Sequence, residues 1–515
     1  MFELNQAKIL DAVEWADKNS GDRAKISAIL QKAADCNGLN HREASLLLAG
    51  ARDDELFALA GEIKRRFYGS RIVLFAPLYL SNYCVNTCAY CPFHGGNRDI
   101  ERKKLSQSEI EAQVRALLEM GHKRIVIESG DHPTQNSMDY ITESIATIYG
   151  VRHKKARQAR IGHRGYMSAA THSLEAGSNF LTYKNSAGRG QKTPASIQRI
   201  NVNIGASSVE DYAKLATANI GTYTLFQETY DRARYEELHP GSAPKSNYDW
   251  QLGAMDRAMQ AGLDDVGIGV LFGLSDYRFE LAAMLSHAEY LEAEYGAGPH
   301  TISVPRGRSP VSRDAETHDE GNTLSQNRNP FSSQVSERDL LRIVATIRIA
   351  APYTGIIAST RENADTRAKM LAAGVSQISG GSRTSVGGYA ARQARNEHRE
   401  PVLEAAHSLE SGNSTGNATG SNKNSAQFET HDNRTLGEVV NWLMENGHIP
   451  SFCTACYREG RTGDRFMELC KSGKIQDFCH PNALLTLQEY LIDHADKRGK
   501  FLGEKLIARE TAGTL

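Results

Sequence analysis

Six of the eight cysteines in this 515-residue chain fall into two tight groups. Cys84, Cys88 and Cys91 form a C-x3-C-x2-C trio, and Cys453, Cys456 and Cys479 form a C-x2-C-x22-C trio. Each group offers three thiolates. A closed structural zinc site takes four protein ligands, so each group is one short. On a [4Fe–4S] cube, three cysteines leave one iron without a protein ligand, and an open iron can hold a small molecule. Zinc stays open as the alternative, with His480 beside Cys479 as a fourth ligand in the second group. Cys36 stands apart and reads as a helix-packing residue. Cys470 lies inside the loop of the second trio, where its spacing suits a ligand less well.

The elements that must hold these trios follow from periodicity. Residues 1–70 read as helices, with apolar residues at helical spacing over Ala24–Ala34 and Arg42–Leu48 and another helix from Asp53. Strand-like runs follow at Ile72–Phe75, Arg124–Ile127, Ile200–Ile204, Thr222–Phe226, Val266–Leu271, Thr301–Val304, Gly355–Ala358 and Val375–Ile378. Helical patterns such as Ser106–Met120 and Tyr248–Ala261 separate them. That alternation predicts an α/β fold, a TIM-type (β/α)8 barrel over 71–389 with insertions at 156–197 and 307–335. Several of the runs are apolar throughout, as strands buried on both faces should be. Residues 390–424 end in a Ser/Gly/Asn/Thr stretch of low complexity and read as a disordered insertion. Helical patterns over Leu436–Glu445, Arg465–Lys471 and Pro481–Lys497 make 425–515 a C-terminal unit, which carries the second trio.

Composition narrows the function classes. Hydrophobic residues make up 40% of the chain and the formal net charge is −1. Such a balance gives no argument for nucleic acid or an anionic membrane as partner. No run of eighteen apolar residues is present, so no membrane-spanning helix is expected. The start, Met1–Asn5, lacks the pattern of a secretory signal or a transit peptide. A cytoplasmic location is expected, or an anaerobic organelle if the source is eukaryotic. In such a chain, clustered cysteines read as metal ligands, not disulfides.

The first trio follows the first strand run, on the face of a barrel where active sites are built. A C-x3-C-x2-C trio with Tyr90 before its last cysteine, in this loop, resembles the radical S-adenosylmethionine (SAM) superfamily. The resemblance implies that the open iron chelates SAM and that an electron splits SAM into methionine and a 5′-deoxyadenosyl radical. Glu128-Ser129-Gly130-Asp131 ends the second strand where the superfamily has a Gly-Gly-Glu-like turn for the SAM amino group, with Asp131 in place of the usual Glu. Asn201 and Asn203 on the third strand, Gln227 and Glu228 at the end of the fourth, and Arg232 just past it are further candidates for SAM. Ordinary loop capping is the alternative for each.

The combination of segments is more specific. Pro77–Asn82, Pro299–Arg306, Ser379–Tyr389 and the second trio together resemble the HydG-type tyrosine lyases that mature [FeFe]-hydrogenase. That resemblance implies two [4Fe–4S] clusters, one binding SAM and one auxiliary with an extra iron held partly by a free cysteine. It implies cleavage of L-tyrosine to p-cresol and dehydroglycine, then formation of carbon monoxide and cyanide as an Fe(CO)2(CN) unit for the hydrogenase. A reduced donor such as ferredoxin or flavodoxin, and the other hydrogenase maturases, are the implied partners. His300, at the start of the sixth strand, is the candidate protein ligand of the extra iron, with a buried hydrogen-bonded histidine as the alternative. Arg306, at the end of that strand, is the candidate clamp for the substrate carboxylate; Ser382, Arg383 and Ser385 compete for it. His239 could contact substrate or SAM, or lie in a surface loop. The similar 2-iminoacetate synthase of thiazole biosynthesis lacks the second trio and remains an alternative, as does a non-catalytic iron–sulfur scaffold.

Overall fold

A computed structural model describes residues 1–152, 195–307, 329–397 and 425–512. The insertion expected at 156–197 and the low-complexity stretch within 390–424 lie almost wholly outside these residues, as does most of 307–335.

Eight parallel strands close a barrel. They are β1 (Arg71–Ser81), β2 (Arg124–Ser129), β3 (Arg199–Asn203), β4 (Tyr223–Thr224), β5 (Val266–Gly269), β6 (Thr301–Ser303), β7 (Gly355–Ala358) and β8 (Gln377–Ser379). Each pairs with the next, and β8 returns to β1 with Val73 opposite Gln377. The (β/α)8 architecture expected from periodicity is therefore present. A side chain on a strand alternates between the two faces of the sheet. Ile125, Ile127, Ile200, Val202, Ile302, Ile356 and Ile378 are fully buried, whereas the alternate positions Glu128, Asn201, Asn203, Thr224, Ser303, Gln377 and Ser379 line a central cavity. TIM barrels usually fill their interior with branched apolar residues. This one is apolar outward, beneath its helices, and carries polar residues along its axis beside Phe75, Pro77, Val126 and Ile357.

The helices are made by local signals. Gln107–Met120 starts on a capping box between Ser106 and Glu109 and ends on the left-handed Gly121. The helix expected over Tyr248–Ala261 is split into Tyr248–Leu252 and Ala254–Gln260 at Gly253. A Cβ there would meet the Met1 Sδ at 2.5 Å, so the glycine makes room for the N-terminal side chain.

The C-terminal residues are joined to the barrel at both ends. At the mouth, the buried Arg367 pairs with Asp432 and donates to the Ser379 carbonyl at 2.5 Å, while Arg434 pairs with the same carboxylate. Leu436–Glu445 then runs down to β9 (Ile449–Ser451), which pairs in parallel with the first residues of β1, Ile449 opposite Arg71. The last helices are Gly463–Lys471, Ile475–Asp493 and Lys497–Ala512. The third expected helix thus begins earlier than Pro481, and Cys479 sits on it. Among the described residues no helix is long and apolar enough to cross a membrane.

Candidate functional site

The loop after β1 wraps Cys84, Cys88 and Cys91 around one side of the barrel mouth, and all three line the cavity there. Backbone bonds tie the loop to the end of β2: Gly130 N donates to the Ser81 carbonyl at 2.9 Å and Val85 N to the Asp131 carbonyl at 2.7 Å. Arg102 clamps it from outside, donating to the carbonyls of Asn82 at 2.6 Å, Phe93 at 2.8 Å, His94 at 2.7 Å and Asn97 at 3.1 Å. Gly130 is required by contact: a Cβ there would meet the Tyr83 carbonyl oxygen at 2.3 Å. Burial pushes the Cys88 thiol up to about 11 and Cys91 up to about 12, so iron binding at this loop must displace protons.

Most of the polar groups expected to bind SAM line the same cavity as the cysteines. Asp131 is held by Asn86, whose Nδ2 donates to Oδ2 at 3.0 Å, and a Cβ on Gly205 would strike its carboxylate. Glu228 takes a left-handed φ of 69°, a strained conformation for a non-glycine, and so turns its carboxylate into the cavity. Lys245 Nζ donates to it at 2.7 Å. Tyr90 donates its hydroxyl to His239 Nε2 at 2.9 Å; His239 Nδ1 donates in turn to the Tyr235 carbonyl at 2.7 Å. His239 is thus a buried support of Tyr90, not a surface residue, and burial lowers it to about 4. Asn203 lies beside Glu128 across the β2–β3 pairing. Burial raises Glu128 to about 8, so this carboxyl is neutral at pH 7.

Six expected residues do not line the cavity: Gln227, Arg383 and the four that follow. Arg232 points outward, pairs with Asp249 and stacks on Tyr248 at 4.1 Å; it does not line the cavity. Arg306 is buried but engaged by Glu362, with Nε at 3.0 Å from Oε1 and Nη2 at 2.5 Å from Oε2, and by the Val335 carbonyl at 3.0 Å. A guanidinium so occupied has no open fork for a substrate carboxylate. Ser382 and Ser385 also stand outside the cavity wall, and Ser385 bridges to Ala426. The arginine that does line the cavity is Arg361, at the end of β7, resting on Phe428 at 3.9 Å. Gln427, which accepts from Tyr79 at 2.8 Å, and Phe428 close that side. Both come from the segment after the low-complexity stretch.

The second trio lies at the other end of the barrel. Arg124, the first residue of β2, donates to the Cys453 carbonyl at 2.8 Å, and Thr454 donates to Gln198 at 2.9 Å. Cys479 is on the helix that packs against β9. His300 faces Asp265 at 3.5 Å and Phe466 at 4.5 Å between ring centroids. Burial, then Arg199 and Arg124, hold its imidazole well below the usual range, hence neutral. His480 turns toward Glu510 at 3.8 Å. Cys470 is buried in the core. Three thiolates on one zinc sit within about 4 Å of each other, each about 2.3 Å from the metal. Among the described residues no three His, Cys, Asp or Glu side chains are gathered around a single metal position.

Comparison with known proteins agrees with this geometry. Residues 78–285, which include the first trio, match the Radical SAM superfamily model. Residues 308–449 match the Biotin and Thiamin Synthesis associated domain. A crystal structure of HydG, a maturase of the [FeFe]-hydrogenase, superposes with a TM-score of 0.77 at 42% identity, over 98% of this chain and 92% of that one. The chain belongs to the HydG family. HydG from Carboxydothermus hydrogenoformans superposes with a TM-score of 0.70 at 34% identity, over 98% and 93% of the two chains. By sequence the chain is also similar to 2-iminoacetate synthase of Salmonella typhimurium, 26% identical over 73% of this chain and 85% of that protein. It is a radical SAM maturase, and the superfamily implies a [4Fe–4S] cluster and SAM. The contact that makes Gly130 necessary gives a test. Gly130→Ala must push the Tyr83–Cys84 backbone away, so the reconstituted variant should lose one cluster's worth of iron and its reductive cleavage of SAM while keeping the wild-type circular dichroism. Full iron content would show that the loop tolerates the shift.

Proposed function

We propose that this chain cleaves L-tyrosine to p-cresol and dehydroglycine at the barrel mouth and turns the small fragment into carbon monoxide and cyanide at the second trio. The observation that carries the reading is the barrel axis, along which polar side chains such as Glu128, Asn201, Asn203 and Gln377 stand. It opens on one cysteine trio and leads toward another, fixed at the floor by β9. HydG relatives over nearly the whole length support it.

In this reading Cys84, Cys88 and Cys91 hold the SAM cluster, which when bound supplies the electron that generates a radical able to take a hydrogen atom from the tyrosine amino group. Asp131, Glu228 and Lys245 orient the amino and carboxylate ends of SAM, and Tyr90, fixed by His239, forms the wall beside the cluster. Arg361 binds the tyrosine carboxylate in place of Arg306, with Phe428 setting the plane of its guanidinium. Glu128, protonated at pH 7, can donate a hydrogen bond to the substrate without placing a second anion beside Glu228. Phe93, Phe331 and Phe428 around the mouth exclude water from a reactive radical. At the floor Cys453, Cys456 and Cys479 hold the auxiliary cluster, and the neutral His300 is suited to an additional iron completed by free cysteine. The electron donor is a small reduced protein, and the product passes to the other hydrogenase maturases.

Two variants test the two ends. Cys456→Ala should keep p-cresol formation within about twofold and lose carbon monoxide and cyanide. Carbon monoxide at the wild-type level would instead favour a 2-iminoacetate synthase reading. Arg361→Lys should raise KM for tyrosine about tenfold by losing a bidentate contact. Its slow cleavage of SAM without tyrosine should persist. An unchanged KM removes Arg361 from substrate binding.

A further inference from the structure

Glu228 turns its carboxylate into the mouth cavity because its backbone is held in the left-handed region, at φ 69°. A bulky side chain leaves that region unless its neighbours fix it. One side is fixed by the end of β5: Gln227 N donates to the Gly269 carbonyl at 3.1 Å and Leu271 N to the Glu228 carbonyl at 3.0 Å. The other side is fixed by the helix Tyr277–Tyr295, none of whose residues line the cavity. Glu280 on that helix is 1% exposed. Its Oε2 accepts from Tyr230 N at 2.7 Å and its Oε1 from the Thr229 hydroxyl. The two residues after Glu228 therefore hang on one buried carboxyl. The Thr229 oxygen also accepts from Asp231 N at 3.3 Å, which continues the turn.

Tyr230 is anchored at two further points. Its hydroxyl bonds with His287 Nδ1 at 2.9 Å, and His287 follows Glu280 by two turns on the same helix face. Its carbonyl accepts from the Tyr248 hydroxyl at 2.8 Å and from Gln6 Nε2 at 2.7 Å. Gln6 opens the helix Gln6–Asn19, and Phe2 stacks on His287 with ring centroids 4.4 Å apart. The N-terminal segment thus ends on the residue two past Glu228. Burial raises Glu280 to about 8, against the pull of Thr229 and Tyr230. A neutral carboxyl still serves both partners. Its carbonyl oxygen accepts from the Tyr230 N–H, and its hydroxyl meets that of Thr229, which can donate or accept. The turn is held without adding a buried anion.

We propose that Glu280 is a positioning residue for SAM binding: it holds Thr229 and Tyr230 so that Glu228 keeps its left-handed turn, and Gln6 completes the clamp from the N-terminal helix. The proposal rests on the reading that Glu228 and Lys245 orient SAM. Without Glu280 the Tyr230 N–H is buried with no acceptor. The chain must then turn to find one, and the Glu228 carboxylate is drawn from Lys245 Nζ, now at 2.7 Å.

SAM titrated into the reduced, anaerobically reconstituted full chain, and followed by the change in the paramagnetic resonance of its cluster, reads binding without turnover. Glu280→Met, which nearly keeps the volume and removes both acceptors, should raise the half-saturating SAM concentration about tenfold, with iron content and circular dichroism unchanged. Glu280→Gln should stay within about twofold of the wild type, since its carbonyl accepts from Tyr230 N–H and its amide donates to Thr229. Gln6→Ala should raise half-saturation about threefold. A merely structural role for Glu280 would lower the thermal midpoint of Glu280→Met and leave half-saturation where it was, and that result overturns the proposal. So does a Glu280→Gln as impaired as Glu280→Met. If Glu280→Met does not fold, Thr229→Val, isosteric and without the hydroxyl, carries the test: about threefold weaker binding is expected, and wild-type binding overturns the clamp. Glu228→Gln separates the clamp from the reading beneath it. Weakened binding there with wild-type binding in Glu280→Met overturns the clamp alone. Wild-type binding in Glu228→Gln overturns Glu228 as a partner of SAM, and the clamp's role with it.

Discussion

The pairing of β9 with the start of β1 is the constraint on which the two-site arrangement depends. One strand carries both trios. The far end of β1 leads in three residues to Cys84, and its near end holds the strand that leads in two residues to Cys453. Eleven residues at about 3.3 Å each make β1 about 35 Å long, so the trios are held apart by the height of the barrel. The segment between mouth and floor is equally tied down. Asp432 is locked to Arg367 at the top, and Leu436 and Val439 pack where a Cβ on Gly380 would point. A C-terminal unit that reads as separate in the sequence is thus part of both ends of the barrel.

The two ends differ in charge. At the mouth, charges balance: Asp131 and Glu228 are matched by Lys245 and Arg361, with Glu128 neutral. At the floor, arginines prevail, with Asp265 between Arg199 and His300. In a low-dielectric interior such differences act over the whole axis. The neutral state of His300 follows first from burial and then from the same floor arginines, and only a neutral imidazole can serve as a ligand. Polar residues inside the barrel would be a poor choice for stability alone. They make sense where something polar must pass or bind.

Much of this was legible in the sequence. All eight strand runs fall where the barrel has strands, because alternation with helices is a strong signal. Placing the first trio after β1, on the active face, needed only that order. Residues expected at strand ends lie on the cavity wall where the chain leaves the barrel directly, as with Asp131, Asn203 and Glu228. Arg306 and Arg232 were misplaced because position gives reach, not partners: Glu362 engages the first, and Asp249 draws the second outward. Arg361 obeys the same strand-end rule and could have been found by applying it to β7. Arg102, Lys245 and Phe428 had no such signal. Their roles arise from loops folding back over long separations, Phe428 from beyond a low-complexity stretch. The polar interior was hidden by runs such as Arg124–Ile127, in which outward isoleucines dominate the pattern.

The central claim is that one barrel holds two iron–sulfur sites at opposite ends. Pulsed dipolar paramagnetic resonance on the reduced, anaerobically reconstituted wild-type chain measures it directly. The account predicts two paramagnetic clusters about 25–35 Å apart, as a barrel of strands rising about 3.3 Å per residue requires. A single cluster per chain, or two clusters closer than about half that spacing, would contradict it.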